Sequence, residues 1–417
     1  MERNQNDFAR NPESAADFMD RVRVNQQKLT AELKSHFDFI VCGSVSSGSV
    51  VARRLAENPD VNVLLLEAGG DDDVPSVMEA SQWITNIGSE RDWQFKAQPN
   101  SWLNGRALSL GMGKVLGGGS SINAMIWARG HKSDWDFFAS EAGDPAWSYE
   151  SVLNIYRRIE DWHGTPDPQY RGTGGPVFVQ PRPHPNPIAP ALLEGARSAG
   201  IRTFENQNGR MMETAGGASR PDVRIRDGKR QSVFRTYVFP YMDRPNLTVL
   251  TQALVTRLTF EGKRASGVEI SYEGRTHRIR AAHEVILSLG TIHTPKALMQ
   301  SGIGDQTELQ RFGIPIIQHL PGVGHGFQDH PALGCMWEYQ EPLPPDPTPE
   351  AVLFWAGDLD SPDLQILQAG LPLSSGENAT AFDLPGSGWT LLASVVQPKK
   401  SGAYPSNRVR SDRTCSD

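Results

Sequence analysis

The sequence predicts an α/β fold organised around a parallel sheet, and three observations carry that prediction. Residues 37–67 read as strand, glycine turn, helix and strand in succession. Residues 113–123, GKVLGGGSSIN, form a glycine- and serine-rich turn suited to close approach by a flat, charged ligand. A chain of 417 residues with 38 % hydrophobic content is too long for one core, so two domains are expected.

Residues 14–34 have the spacing of an amphipathic helix, with Phe18, Val22 and Leu29 among its apolar positions. The apolar run from Phe37 to Cys42 suits a buried parallel strand. Gly43 and Gly48 then take the first and third glycine positions of G-x-G-x-x-G. Residues 49–57 follow with helical spacing, and Asn58-Pro59-Asp60 stops them. A second strand over 61–66 ends in Glu67, 24 residues after Gly43, where an acid bonds a ribose hydroxyl in dinucleotide-binding units. Val45 breaks the pattern: it stands at the second glycine position, where backbone normally approaches a pyrophosphate. A β-branched side chain there either leaves an altered turn that binds more weakly or damages the site.

In the second turn, the serine hydroxyls, the free N–H groups and the Asn123 amide are expected to meet phosphate or ring heteroatoms. Further on, SYESVLNIYRRIEDW predicts a helix with Ser148 as its N-cap. A Pro/Gly-rich stretch follows around residues 171–190. The prolines of PLPPDPTP, residues 342–349, predict a surface loop or lid with no regular structure.

Composition narrows the function. A net charge of −7 offers no basic field for nucleic acid. The 40 glycines and 30 prolines suit a loop-rich α/β protein, not a repeat or a disordered chain. Cys42, Cys335 and Cys415 have no metal-site or disulfide spacing, and no metal is expected. No apolar run reaches the length of a transmembrane segment, and the polar start MERNQNDFARNPES lacks a hydrophobic signal core. The expected setting is cytoplasmic.

Four separated motifs carry a family resemblance: GKVLGGGSSINAMIWARG at 113–130, RPNLTVLTQALVTRL at 244–258, GTIHTPKALMQSGIG at 290–304 and LPGVGHGFQDHP at 320–331. In this order they resemble the glucose-methanol-choline (GMC) oxidoreductases, flavoproteins that oxidise alcohols. Within that family the chain is most similar to bacterial choline dehydrogenase-type proteins. The resemblance runs from about residue 37 to 399, and departs at Ala297, His325 and Gly326.

The resemblance implies a Rossmann-like FAD-binding domain with a discontinuous α+β substrate-binding domain. It implies an N-terminal helical extension over 1–35, FAD-binding parts at 36–140 and 225–330, and substrate-domain parts at 141–224 and 331–417. FAD is the implied cofactor. Gly43, Ser46, Ser47 and Gly48 would surround its pyrophosphate, and Glu67 would bind the adenosine ribose. Gly113, Val115 and Gly118 would line the flavin, with Asn123, Ala124 and Met125 against the isoalloxazine edge. Val255 matches the position whose backbone meets adenine. The structural alternatives are a plain core residue for Val255 and a solvated strand end for Glu67.

The implied reaction takes hydride from the CH–OH carbon of a small-molecule alcohol to flavin N5, with oxygen or a quinone-like molecule as external electron acceptor. Family members hold the catalytic His, which takes the hydroxyl proton, in a C-terminal segment. This chain has no match to that segment after Lys399, where KSGAYPSNRVRSDRTCSD is unlike the family continuation. No catalytic residue is therefore identified, and truncation by a reading-frame shift or premature stop is one expected origin. Two alternatives stay open: a truncated, inactive remnant, and a flavoprotein lyase, since hydroxynitrile lyases share the fold. Among the histidines, His330 in QDHP is expected to bond backbone at a turn, His131 to sit at a hinge or surface, and His293 at a variable place. Trp337, Tyr339 and Trp355 are the aromatic residues that could form a pocket for a cation such as choline.

Overall fold

The computed structural model describes residues 12–340, 343, 345–356, 361–374, 376–398 and 402–403. The expectations for residues 1–11, for Cys415 and for the rest of the tail from 404 lie outside them. In chain order, helix α1 (Pro12–Ala31) leads into strand β1 (His36–Cys42), helix α2 (Ser46–Ala56) and strand β2 (Val63–Leu66). Helices α3 (Lys132–Ala142), α4 (Tyr149–Ile159) and α5 (Ile188–Ser198) precede strand β3 (Gly216–Ser219). Strands β4 (Leu247–Leu250), β5 (Leu254–Glu261), β6 (Arg264–Tyr272) and β7 (Arg275–Leu287) come next, then helix α6 (Gly290–Gln300). Strands β8 (Ala332–Glu338), β9 (Asp346–Trp355), β10 (Leu364–Gly370) and β11 (Gly388–Val395) complete the principal elements.

Two sheets organise these elements. The first has the order β4-β2-β1-β7-β6-β5, parallel from β4 to β7 and antiparallel at β6 and β5. Its register sets Val41 opposite Leu65 on one side and Ile286 on the other. Successive side chains of β1 and β2 enter different cores, as the period of a strand requires. Ile40, Cys42, Leu64 and Leu66 join Leu250, Val268 and Ile270 on one face. Val41, Val63 and Leu65 meet Ala52 and Ala56 of α2 on the other. All seven of these β1 and β2 residues are fully buried, each stabilising the fold by roughly 1–3 kcal/mol according to size. This is why residues 39–42 and 63–66 read as continuous apolar runs without alternation. Cys42 lies at the end of β1, and burial pushes its thiol up to about 12.

The predicted N-terminal helix is present, shifted to Pro12–Ala31, with Phe18 and Val22 buried. Its Gln26 works as a strand substitute on the free edge of β4. The amide Nε2 donates to Leu247 O at 2.9 Å, and Val249 N donates to Gln26 Oε1 at 2.9 Å. An edge strand thus has its backbone groups satisfied by a helix side chain.

The second sheet has the order β8-β11-β10-β9-β3, antiparallel throughout. The loop expected over 342–349 is corrected here: β9 begins at Asp346 and carries Pro347 and Pro349 within it. Proline lacks an N–H and is tolerated at irregular strand positions. The β9–β10 register shifts at Asp346/Pro349 and Pro349/Ala351, while β3 pairs with β9 only from Val352 onward. Residues 342 and 344 lie outside the described residues.

The second sheet also separates the three aromatics expected to form a cation pocket. Trp337 on β8 stacks on Trp389 at 4.5 Å between ring centroids, whereas Trp355 on β9 packs with Ala196 and Leu353. β8 and β9 are three strand spacings apart, about 14 Å. Tyr339 instead accepts a hydrogen bond from Asn186 Nδ2 at 2.9 Å.

Candidate cofactor site

The carboxyl ends of β1, β2 and β7 converge on the first glycine turn, the place where open parallel sheets bind ligands. Gly43 N donates to Leu66 O and Ser288 N to Cys42 O, both at 2.8 Å, tying the three strand ends together. Gly43 has φ +94°, and a Cβ there would lie 2.2 Å from Ser288 O. Only glycine allows this crossing.

Helix α2 then starts without a side-chain cap: Val45 is its N-cap residue and has no polar group to offer. The first turn holds no acid, and Ser46 and Ser47 are exposed while Gly48 is buried. An uncapped N-terminus leaves backbone N–H donors and the positive end of the helix dipole for an anion.

Glu67 closes the turn from below. Its Oε2 accepts from Ser44 Oγ at 2.7 Å and Ser44 N at 3.2 Å, and its Oε1 accepts from Gly69 N at 2.9 Å. Burial pushes the carboxyl above its ordinary range, against the opposing pull of these donors. The acid expected at a ribose therefore also holds the turn together.

The second glycine turn docks onto the first. Gly117 N donates to Ser44 O at 3.1 Å, and Val115, fully buried, bridges to Gly70. Gly118 has φ +53°, and a Cβ there would lie 2.0 Å from Val45 Cγ1. The Val45 isopropyl group thus stands against the Gly118 backbone. The serines depart from expectation: Ser120 Oγ donates to Gly117 O at 2.7 Å and Ser121 Oγ to Leu116 O at 2.6 Å, both inside the turn. A buried hydroxyl satisfies a neighbouring carbonyl before it serves a ligand.

Beyond this turn Asn123 is exposed, and its Oδ1 accepts from Arg230 Nη1 at 2.9 Å and Met125 N at 3.0 Å. With the oxygen held, the amide Nδ2 is left as a donor. Met125 has φ +60°, uncommon for a long side chain, and packs with Ala80, Val223 and Ile225. Ala124 between them is half-buried. Arg230 is almost fully buried and also donates to Val77 O and Ser120 O. Burial, with the positive Arg224 adding to it, pulls its guanidinium down to about 9.

One cleft collects Gly43, Glu67, Gly113 and Val255, together with Val45. Gly48 lies behind Gly43, Gly118 lies against Val45, and the 123–125 segment lines no part of this cleft. Sequence reasoning missed Trp93 and His293, which form an aromatic wall of the same cleft. Their ring centroids are 4.0 Å apart, and Phe95 lies 5.2 Å from His293. Burial, reinforced by Lys296 and Lys114, pulls the His293 imidazole down to about 3. The sequence signal was present: His293 is the third residue after Gly290, within the motif that opens α6. The other two histidines behave differently from each other. His131 caps α3 in a capping box with Asp134, and its Nε2 meets Thr214 O at 3.0 Å. His330 is exposed, and it is its backbone N–H that bonds, to Asp329 Oδ1 at 2.8 Å, a correction to the expected side-chain role.

A broader polar cavity opens beside Ala80 and Ile225, the residues that pack on Met125. Glu79, Gln180, Arg182, His184, Asp227 and Asp346 line it, with Arg182 paired to Asp346. Behind the 123–130 segment runs a buried charge network. Glu160 forms an ion pair with Arg129, Oε2 to Nη2 at 2.6 Å, and accepts a hydrogen bond from Arg171 Nη1 at 3.0 Å, and Arg171 also pairs with Asp222. Asn208 Nδ2 adds a bond to Asp222 at 2.6 Å.

Known proteins share this arrangement. The family model described as GMC oxidoreductase matches residues 37–332. The oxygen-dependent choline dehydrogenase of Citrobacter koseri is 40 % identical over 314 residues, covering 74 % of this chain and 56 % of that protein. The chain thus spans a little over half the length of the curated relatives it matches. Pyridoxine 4-oxidase from Mesorbium loti superposes with a TM-score of 0.82 at 28 % identity, over 88 % of this chain and 72 % of that one. The formate oxidase of Aspergillus oryzae RIB40, whose FAD undergoes modification, gives 0.80 at 26 % identity, over 91 % and 76 %. With the family model covering well over half of the sequence, the chain belongs to the GMC oxidoreductase family.

Proposed function

We propose that the chain is an FAD-dependent oxidoreductase acting on the CH–OH group of an alcohol. The observation that carries this is the uncapped N-terminus of α2, with Ser46 and Ser47 exposed, facing the 113–118 turn at the carboxyl end of a parallel sheet. These donors suit the pyrophosphate of FAD, and the cleft between Glu67, Val255, Trp93 and His293 suits its adenosine. The exposed Asn123, with its oxygen held by Arg230, suits the flavin edge beside Ala124 and Met125. Gly43 and Gly48 allow the first turn its shape, and Gly113, Val115 and Gly118 shape the second.

When bound, FAD would supply the two-electron acceptance that alcohol oxidation needs. The chain's own contribution is binding and orientation. The α2 dipole holds the anionic part, Glu67 fixes the turn, and Arg230 fixes the Asn123 amide. The polar cavity beside Ala80 and Ile225 is the place for the alcohol.

The domain reading follows the sheets. Strands β1, β2 and β4–β7 belong to an FAD-binding part made of 36–140 and 225–330. Strand β3, from 141–224, shares a sheet with β8–β11 of 331–417, which supports a discontinuous substrate part. Choline is the first alcohol to test and oxygen the first acceptor, because the similar bacterial proteins are named oxygen-dependent choline dehydrogenases. No helix among the described residues is long and apolar enough to cross a membrane; a cytoplasmic setting is a separate proposal, resting on three cysteines without disulfide spacing.

The test is the visible spectrum of the purified chain supplied with FAD, followed by anaerobic addition of choline and other small alcohols. A flavin band that bleaches on alcohol addition is expected. A bound flavin that none of them reduces would overturn the alcohol-oxidising reading.

A further inference from the structure

The two glycine turns meet at two side chains of the first, Ser44, whose Oγ accepts from Gly117 N at 3.2 Å, and Val45. Gly117 N reaches the Ser44 carbonyl, and beside that bond the Val45 side chain stands against Gly118. Gly43, Val45 and Gly113 lie together in the wall of the cleft that Glu67, Trp93, Val255 and His293 also line. Ser46 and Ser47, exposed at the start of α2, follow Val45 directly. A ligand running from the cleft past α2 toward Asn123 must therefore pass the isopropyl group. Glycine at this position would remove three carbons from the passage, and adding bulk to a close contact is costly when neither backbone can yield. Gly118 has no slack to offer, since its own φ is +53° and Gly113 packs on its carbonyl.

From this geometry we infer that Val45 is a specificity-determining residue that divides the nucleotide site. The adenosine half accepts an adenosine carrying one phosphate, while Val45 against Gly118 weakens, without abolishing, the hold on the second phosphate and on what is attached beyond it. This rests on the nucleotide reading of the cleft given above. Val45 is half-buried, and its side chain contributes no cap hydrogen bond, while its carbonyl accepts from Ser49 N at 2.9 Å, a bond that glycine keeps. Glycine is a better N-cap than valine, so the variant retains the start of α2.

The experiment compares the full chain with V45G and V45A by titration calorimetry, using AMP and FAD as probes. V45G is expected to bind FAD at least ~10-fold more tightly than the original chain, equivalent to about 1.4 kcal/mol. AMP affinity should change by a clearly smaller factor than FAD affinity, because AMP lacks the second phosphate that Val45 opposes, and an equal change in both would overturn the division. V45A should fall between the two on FAD, and it answers the question even if V45G folds poorly. FAD affinities that agree within threefold across the original chain and the variants would overturn the inference while leaving the nucleotide reading intact. If no protein in the series binds either probe, the nucleotide reading falls and the inference with it.

Discussion

His293 shows how a single side chain acquires a role through its surroundings. An imidazole with an ordinary value near 6.5 is held near 3 by burial, helped by two lysines, so the native state keeps it neutral. Below 6.5 the unfolded chain takes up a proton that the native state refuses. The associated stability is whole above pH 6.5 and is lost as pH falls toward 3. Replacing His293 with Phe keeps a ring against Trp93 and removes this linkage. Its melting temperature should decline less steeply from pH 6.5 to 5, a difference on the order of 1 kcal/mol, checked by thermal unfolding across that range. Nothing local in the sequence showed that His293 and Trp93 meet, because 200 residues separate them and only α6 and the 92–96 segment bring their rings together. Glu67 was legible at its strand end, yet its bonds to Ser44 and Gly69 were not, since they depend on the turn's exact closure.

Among the elements, α2 is the one whose local chemistry leans toward a ligand. An N-terminus with neither a capping side chain nor an acid is less stable than it could be by a modest amount. Ser46→Asp should raise the melting temperature of the ligand-free chain by the equivalent of about 0.3–1 kcal/mol. The same substitution should weaken FAD binding, because the new carboxylate repels the phosphates. Opposite signs in a melting curve and a binding titration are the expected outcome, and equal signs would show that α2 does not face the anion. The β1-α2-β2 unit could be read from sequence because its signals are local: apolar runs, glycines and a stop at Asn58-Pro59-Asp60. Strand β9 could not. Its prolines forbid a strand only where a neighbour needs their N–H, and at Asp346–Pro349 the ladder is irregular and β3 is absent. The Ser120 and Ser121 hydroxyls were misread for a related reason, since whether a hydroxyl faces ligand or backbone depends on the fold of the whole turn.

Across the whole molecule, the Glu160–Arg129–Arg171–Asp222 network links the stretch after the second glycine turn to residues far along the chain. Such a cluster is costly to break, because removing one charge leaves the others buried without compensation. Glu160→Gln should lower the free energy of unfolding by about 3–5 kcal/mol, measured in denaturant. None of these pairings was visible in the sequence, where each residue is one of many charged positions. The sheet supplies an independent gauge of that loss. Cys42 sits at the end of β1 with its thiol shielded and its ionisation suppressed, whereas Cys335 on β8 is exposed. In a Cys335→Ser, Cys415→Ser background, a thiol reagent can reach Cys42 only when the parallel sheet opens, so the rate of labelling becomes a clock for that opening. If Glu160→Gln speeds the clock by the factor its equilibrium loss predicts, the network and the sheet come apart as one cooperative unit. An unchanged rate would instead assign them to separate ones. The residue that ends the first strand thus makes the architecture of the protein measurable in time, with no cofactor and no turnover.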